Sequence, residues 1–415
     1  MSSDIRKKAI TVAALPVSLL LCPLALADAG AAHGQPENTP GSLAEAISGG
    51  KAQLEFRYRF EHVDQDGVAK KANASTLKSR INFETLEFHR SSLFLEVDNV
   101  SYLGDDDFNN FRNNNTQYPV VADPDGTHVN QAYLNLNGSG GYLRLGRQRI
   151  NVNNQRFVGG VAWRQNEQTL DALSLHAEPS GKVEVDYHYA LRVSRIFGPD
   201  NGEPDDSLDS NAHILNLSFT LPANAKLSAY AYALDLEDAD AQSNRTLGVR
   251  LNHAFKAQSL SIPLTLEYAH QKDHGDNPVS YDAAYYLLET GIDKDQLRLR
   301  AGFEVFEGDR DQPNRTFRTP LGTLHKFQGW SDKFLSIPQA GVEDTYLSFQ
   351  YRSFLVAWHD FESEASAASL GSEWNLSWNY QVNEHYSVLL KYADYQADEL
   401  ATDTRKAWLM FTAKF

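Results

Sequence analysis

Cysteine is almost absent from this chain of 415 residues: the single one, Cys22, lies in an apolar stretch near the amino terminus. A disulfide framework, a thiolate metal site and a cysteine nucleophile are therefore excluded from everything beyond that stretch. Basic charge is also scarce. Lys and Arg total 38 against 54 Asp and Glu, and the formal net charge is −16. So acidic a chain repels nucleic acid, and no such partner is expected. Beyond residue 27 no apolar run approaches the roughly 18 residues of a spanning helix. The signatures of catalysis are missing as well. The 13 histidines are scattered, with no HExxH, no G-x-S-x-G and no His pair at metal spacing. No linker or composition break divides a length that a soluble protein would split into several domains.

What is present starts with a leader. Met1 to Ala27 reads as a secretory signal: Arg6, Lys7 and Lys8 precede the apolar "AITVAALPVSLLLCPLALA", and Ala25-Leu26-Ala27 fits small-x-small cleavage. A membrane-anchor helix is the other reading, but Pro16 and Pro23 break the short core. A lipoprotein site at Cys22 would need a small residue where Leu21 stands. Residues 28–50 then form a loosely attached N-terminal periplasmic segment, and 51–415 the body of the protein.

That body alternates. In "QLEFRYRFEH" (53–62), Leu54, Phe56, Tyr58 and Phe60 share one face, and Glu55, Arg57, Arg59 and Glu61 the other. The pattern recurs in "VEVDYHYALRV" (183–193), "LRLRAGFEVF" (297–306) and "SVLLKYADY" (387–395). About eighteen such segments, mostly of 9–12 residues, suit tilted membrane-spanning strands. Their connections alternate long and short. Residues 101–128 are followed by "NGSGG", 150–169 by "EPSGK", 194–211 by "PANA", and 307–342 by a tight turn near Arg352-Ser353. A soluble sandwich has no reason to gather its long loops at one end. A bacterial outer-membrane barrel does, with tight periplasmic turns and long external loops. The fold expected is an all-β transmembrane antiparallel barrel in a Gram-negative outer membrane, in contact with lipid and lipopolysaccharide. The alternation in "RKAWLMFTAKF" runs to Phe415, as closure against the first strand requires. A terminal aromatic there also resembles the signal read by outer-membrane assembly machinery.

Several stretches resemble the alginate-export family of outer-membrane porins. They include "LGDDDFNNF" (103–111), "QYPVVADPDGTHVNQAYLNL" (117–136), "LRLGRQRINVNNQRFVGGVAWRQNEQTLDALSL" (143–175), "SRIFGP" (194–199), "FRTPLGTLHKFQGWSDKFL" (317–335) and "GSEWNLSWNY" (371–380). The resemblance implies a monomeric barrel of eighteen strands around a pore. Its namesake passes an acidic polysaccharide through an arginine-rich constriction. The family name does not decide the substrate of each relative.

Residues opposite the lipid-facing set point into the lumen. The basic ones are Arg57, Arg59, Lys78, Arg80, Arg144, Arg192, Arg250, Arg298, Arg300 and Lys391, set among acids such as Glu61, Glu96, Asp98, Glu267 and Glu304. Arginine suits a passage for anions because it stays charged and its planar fork grips carboxylates. The other reading is that these arginines pair with nearby acids and brace the wall. In "YLRLGRQRI" Leu143 and Leu145 share a face with Arg147 and Arg149, so either the strand leaves the membrane near Gly146 or a bulge flips it. Both place Arg147, Arg149, Arg156 and Arg164 at the outer mouth, with His325 and Trp330. Residues 317–335 hold Phe317, Leu321, Leu324, Phe327, Trp330 and Phe334, too apolar for a solvated loop, and are expected to fold inward or pack over the mouth. No cofactor is expected beyond a weak Ca²⁺ candidate at Asp105, Asp106 and Asp107. The function expected is a channel for anionic or carbohydrate-type solutes, including acidic polysaccharide. The alternatives are a non-conducting surface barrel or a barrel hydrolase built on a serine–histidine pair.

Overall fold

The computed structural model describes residues 39–200 and 202–415. The signal segment and residues 28–38 lie outside the described residues. A short helix, α1 (Leu43–Ser48), is capped by the Ser42 hydroxyl. It is fixed to the barrel's rim, since Leu86 donates its backbone N–H to the Ala46 carbonyl at 3.0 Å. Eighteen strands follow: β1 (Lys51–Gln65), β2 (Ala72–Glu84), β3 (Ser91–Tyr102), β4 (Gly126–Gly138), β5 (Gly141–Gln148), β6 (Thr169–Ser180), β7 (Val183–Ser194), β8 (Ser207–Thr220) and β9 (Lys226–Leu234). The second half is β10 (Asn244–Ala257), β11 (Leu260–Asp273), β12 (Asp282–Lys294), β13 (Leu297–Phe306), β14 (Val342–Tyr351), β15 (Phe354–Glu362), β16 (Ser369–Gln381), β17 (Tyr386–Ala397) and β18 (Thr404–Lys414). Each strand pairs antiparallel with its sequence neighbours, and β1 pairs with β18 to close the barrel.

Closure leaves no sheet edge in lipid, where an unpaired backbone group costs several kcal/mol. The pairing runs past the last strand residue: Leu54 and Phe415 exchange both main-chain hydrogen bonds, at 3.0 and 2.9 Å. The outer face is apolar and exposed, as at Leu145, Leu247, Leu347 and Leu409. In water such a band would drive association; in a bilayer it is the solvated surface. Near the turns at 351–354 and 381–386, Tyr351, Phe354, Trp378 and Tyr380 are exposed aromatics of the kind that sit at a membrane interface. The opposite connections are longer. Three matter for the lumen: loop 2 (103–125), loop 3 (149–168) and loop 7 (307–341), each with buried segments. The buried apolar core of this barrel lies inside it, not between layers. It joins Phe157 and Val158 of loop 3 to Phe317, Leu321 and Phe334 of loop 7 and to Tyr230, Tyr285, Phe306, Phe361 and Tyr395 of the wall.

Candidate functional site

Alternation on β1 and β2 turns Arg57, Arg59, Lys78 and Arg80 inward, as expected, and all four are buried. Loop 3 covers them. Arg57 donates to Gln165 Oε1 at 2.9 Å, to the Ala162 carbonyl at 2.8 Å and to the Arg164 carbonyl. Arg59 donates to the Trp163 carbonyl at 2.6 Å, and its guanidinium stacks on the Trp163 ring at 4.3 Å. It also faces Glu61 at 3.2 Å and Asp123 at 3.6 Å. Asp123 of loop 2 is thus buried in the interior. Lower on the wall Arg80 grips Asp98 with two bonds of 2.6 Å. Glu167 of loop 3 ties Lys78 at 3.2 Å, Arg80 at 2.9 Å and Arg149. Burial alone would raise the Glu167 carboxyl, but Lys78, Arg80, Arg149 and Arg57 hold it well below the ordinary carboxylate range.

Loop 7 is fastened at Asp332. Its carboxylate accepts from Lys406 of β18 at 2.7 Å, from Arg164 of loop 3 at 3.0 Å and from His325 at 2.6 Å. Burial would raise this carboxyl; His325, Lys406 and Arg164 outweigh it and keep it ionised, well below the usual range. The same burial drives His325 well below the ordinary histidine value, so its ring is neutral. His325 stacks on Trp163 at 4.4 Å, and its Nε2 lies 2.6 Å from Lys391 Nζ. That amine sits 3.8 Å from the Trp330 ring and 4.1 Å from Trp163. The neighbouring turn is held by Glu373, which accepts from the Ser331 N–H at 3.0 Å and from that of Trp330. Gly329, at φ +77°, lets that turn press against Glu373, where any Cβ would collide with the carboxylate.

The two loops meet in the centre. Val158 and Leu321 form a parallel bridge, and Gly159 and Thr323 donate to the Leu321 and Gln155 carbonyls, each at 2.9 Å. Arg156 of loop 3 crosses to Glu304 on β13 at 2.9 Å, and Tyr285 donates to the same carboxylate at 2.7 Å. Two cavities are found beside these loops among the described residues. An upper one of about 600 Å³ lies among loops 3, 4 (195–206), 5 (235–243) and 7. A lower one of about 380 Å³ lies under loop 3, against β5, β7, β8 and β9. A groove of about 580 Å³ between Leu347 and Trp374 is on the lipid side and belongs to that surface.

Several positions differ from the sequence expectation. Arg192 does not line the pore. Leu191 is bulged where β7 meets β6 and β8, which turns Leu191 and Arg192 both outward and sends Val193 inside. Arg192 pairs with Asp209 at 2.7 Å on the exposed outer face. Arg147 emerges on that face too, since β5 runs past Gly146 with no break in register, and pairs with Asp171 at 2.7 Å. Arg149, Arg156, Arg164, His325 and Trp330 are not at the outer mouth; the inward folding of loops 3 and 7 carries them inside. Arg250 is paired with Glu267, and Arg300 with Asp293. Arg144 and Arg298 have no carboxylate within salt-bridge distance among the described residues. Arg144 lines the lower cavity, donates to Asn135 at 2.7 Å and rests 4.1 Å over the Tyr133 ring. Gln165, Glu167, Trp163, Asp332 and Lys406 were not singled out by sequence, because their partners lie far away in the chain.

Among the described residues one serine hydroxyl bonds a histidine ring, Ser174 to His188 Nδ1 at 2.7 Å. Ser174 also donates to Gln148 Oε1 at 2.7 Å, and no carboxylate bonds His188, so the pair lacks the arrangement of a nucleophile and its base. At the Ca²⁺ candidate, Asp107 accepts from the Tyr118 hydroxyl at 2.6 Å. No group of three His, Asp or Glu placed to hold a metal occurs among the described residues.

Residues 51–301, more than half of the chain, match the model of the family described as alginate export. The chain belongs to the alginate-export family. No curated protein matches it in sequence. Among solved structures this family member is similar to OccAB4 of Acinetobacter baumannii, with TM-score 0.70 and 14% identity over 88% of this chain and 98% of that one. It is also similar to OpdK of Pseudomonas aeruginosa solved with vanillate, with TM-score 0.68 and 12% identity over 89% and 99%. OccK8 (OprE) of the same organism gives 0.67 and 12% over 89% and 98%. At such identities the likeness is one of fold. An 18-stranded barrel of this family, with an apolar outer band, is an outer-membrane porin of a Gram-negative bacterium.

Proposed function

We propose that this porin is a channel for small anionic solutes and not an enzyme, with loops 3 and 7 forming its constriction. The observation that carries this reading is the distribution of unpaired cations. The central arginines are neutralised by Glu61, Asp123, Glu167 and Asp332 or held by loop carbonyls. Of the inward cations with no carboxylate within salt-bridge distance among the described residues, Arg144 lines the lower cavity and Arg195 and Arg318 the upper one, while Arg298 and Lys391 lie on the wall outside both. Ion selectivity is decided where field lines are confined, not by net surface charge. A polymer such as an acidic polysaccharide would have to part the Val158–Leu321 bridge and the buried ion pairs on either side of it, so small solutes fit this arrangement better.

A second reading has its own support. The packing of Phe157 against Tyr285 at 5.1 Å and Phe317 at 5.5 Å closes the centre, as a non-conducting surface barrel would require. Planar-bilayer recording across a salt gradient separates the two. Anion-selective unitary currents are expected. Cation selectivity at both low and high salt refutes the anion channel, and an intact barrel without conductance supports the closed one.

A further inference from the structure

We infer that the lipid-facing wall at the outer ends of β10 and β11 is a binding site for lipopolysaccharide, in which Arg245 and Lys272 share one phosphate of lipid A and its acyl chains lie against Leu247, Val249 and Leu266. The site is on the outside of the barrel and does not depend on the channel reading.

Arg245 and Lys272 stand directly opposite one another where β10 pairs with β11. Residues so paired have Cβ atoms about 5 Å apart, and like charges there repel. Elsewhere on this face, at the same end of the barrel, basic residues stand opposite carboxylates. Arg147 pairs with Asp171 at 2.7 Å, Arg192 with Asp209 at 2.7 Å and Arg405 with Asp394 at 3.6 Å, each across two neighbouring strands. Arg245 departs from that arrangement on both sides. Its neighbour on β9 is Ala233, which offers no partner. No carboxylate lies within salt-bridge distance of Arg245 among the described residues.

The acids nearby are engaged elsewhere. Asp282 holds Lys272 at 2.9 Å and is shared with His270. Asp273 accepts from the Ser280 hydroxyl and the Tyr281 N–H, each at 3.0 Å. Asp235 lies against Gly275. An exposed guanidinium beside an ammonium, with its donors free, suits an anion that has several acceptor oxygens and more than one negative charge. A phosphate monoester has both, and the planar fork of arginine binds it with two parallel bonds.

Height on the wall decides which lipid supplies the phosphate. Inward from Arg245 the outward residues of β10 are Leu247, Val249 and Leu251, and Tyr268 and Leu266 stand opposite the last two. Leu247, Val249, Leu266 and Tyr268 are all exposed. Arg245 and Lys272 therefore cap the apolar band. They adjoin the long connections 235–243 and 274–281, whereas the far ends of β10 and β11 meet in the turn at 258–259. That places them at the boundary between hydrocarbon and headgroups in the outer leaflet. In a Gram-negative outer membrane this leaflet is built of lipopolysaccharide, and the phosphates of its lipid A lie at that boundary.

The test is native mass spectrometry of the full-length barrel folded in a non-ionic detergent and titrated with bisphosphoryl lipid A, with lipid A stripped of its phosphates, and with phosphatidylglycerol. Bisphosphoryl lipid A should be held at least tenfold more tightly than either of the others. Arg245→Gln combined with Lys272→Gln should weaken it at least tenfold with unchanged heat-modifiable migration. Arg245→Gln alone should weaken it measurably if the double variant does not fold. Arg192→Gln, whose guanidinium already faces Asp209, should leave it unchanged. Equal retention of lipid A with and without phosphate, no retention of either, or an unchanged affinity in the Arg245 variants overturns the site. An equal loss from Arg192→Gln would assign the binding to general surface charge and overturn it too. Phosphatidylglycerol held as tightly as lipid A would overturn the assignment to lipopolysaccharide.

Discussion

Arg164 and Asp332 meet at 3.0 Å inside the lumen, one from loop 3 and the other from loop 7, with side chains almost fully buried. This ion pair joins two segments that leave the barrel's outer end and fold back into it. Removing one member of a buried pair typically costs about 3–5 kcal/mol, because the other charge stays uncompensated. Asp332→Asn leaves Arg164 and Lys406 in that position together. Loop 7 should then undock while the barrel persists. Limited proteolysis within 307–341 should accelerate at least tenfold with unchanged heat-modifiable gel migration. An unchanged cleavage rate would remove Asp332 from its role as the fastening.

Protonation should loosen the same loop. His325 is held neutral when docked, because burial opposes its charge more than Asp332 favours it. Released, it titrates near the ordinary value of 6.5. The undocked loop therefore binds more protons, and docking weakens as pH falls below about 6.5 and onward towards the depressed docked value. Asp332 does not share this window. Its carboxyl is held below the ordinary value of 3.8, so its contribution is lost only in stronger acid. Proteolysis of loop 7 should be faster at about pH 5 than at about pH 8, and His325→Asn should flatten the difference. A rate that falls on acidification contradicts the assignment.

At the other end of the barrel, deletion of 408–415 should abolish assembly. It removes most of the β18 pairing with both β1 and β17 and opens an edge in lipid. Phe415→Ala keeps the main-chain bonds to Leu54 and loses only the ring, which stacks near His385 at 5.6 Å. It should slow insertion and leave the folded barrel's stability nearly unchanged. Normal surface levels of the deleted chain would refute the closure argument.

The strands and their closure could be read from sequence because each is a local pattern: period two needs no knowledge of a partner. The inward folding of loop 7 was legible for a similar reason, since Phe317, Phe327, Trp330 and Phe334 are too apolar for water. Parity failed at Arg192 because one bulged residue, Leu191, reverses every later side chain of β7, and nothing in "YALRVS" marks it. The partners of Arg57 and Arg59 were illegible. Gln165, Asp123 and the Trp163 carbonyl reach them only after the barrel has closed. A count of inward arginines therefore overstated the charge offered to a solute.

That distinction sets the last prediction. Arg144 and Arg192 each looked pore-lining by alternation. Only Arg144 points into a cavity, and it lacks a carboxylate partner, whereas Arg192 faces outward beside Asp209. Surface charge is screened over about 8 Å at physiological ionic strength, while charge within a narrow low-dielectric passage is screened less. Arg144→Gln should move the reversal potential towards cations at both low and high salt, and Arg192→Gln should leave it in place. Arg59→Gln is the uninformative choice, since it strips Glu61 and Asp123 of a buried partner and disturbs loop 3 before it reports on permeation. Equal shifts from Arg144→Gln and Arg192→Gln would place selectivity in the general surface field, and no shift from either would remove the lower cavity from the conduction path.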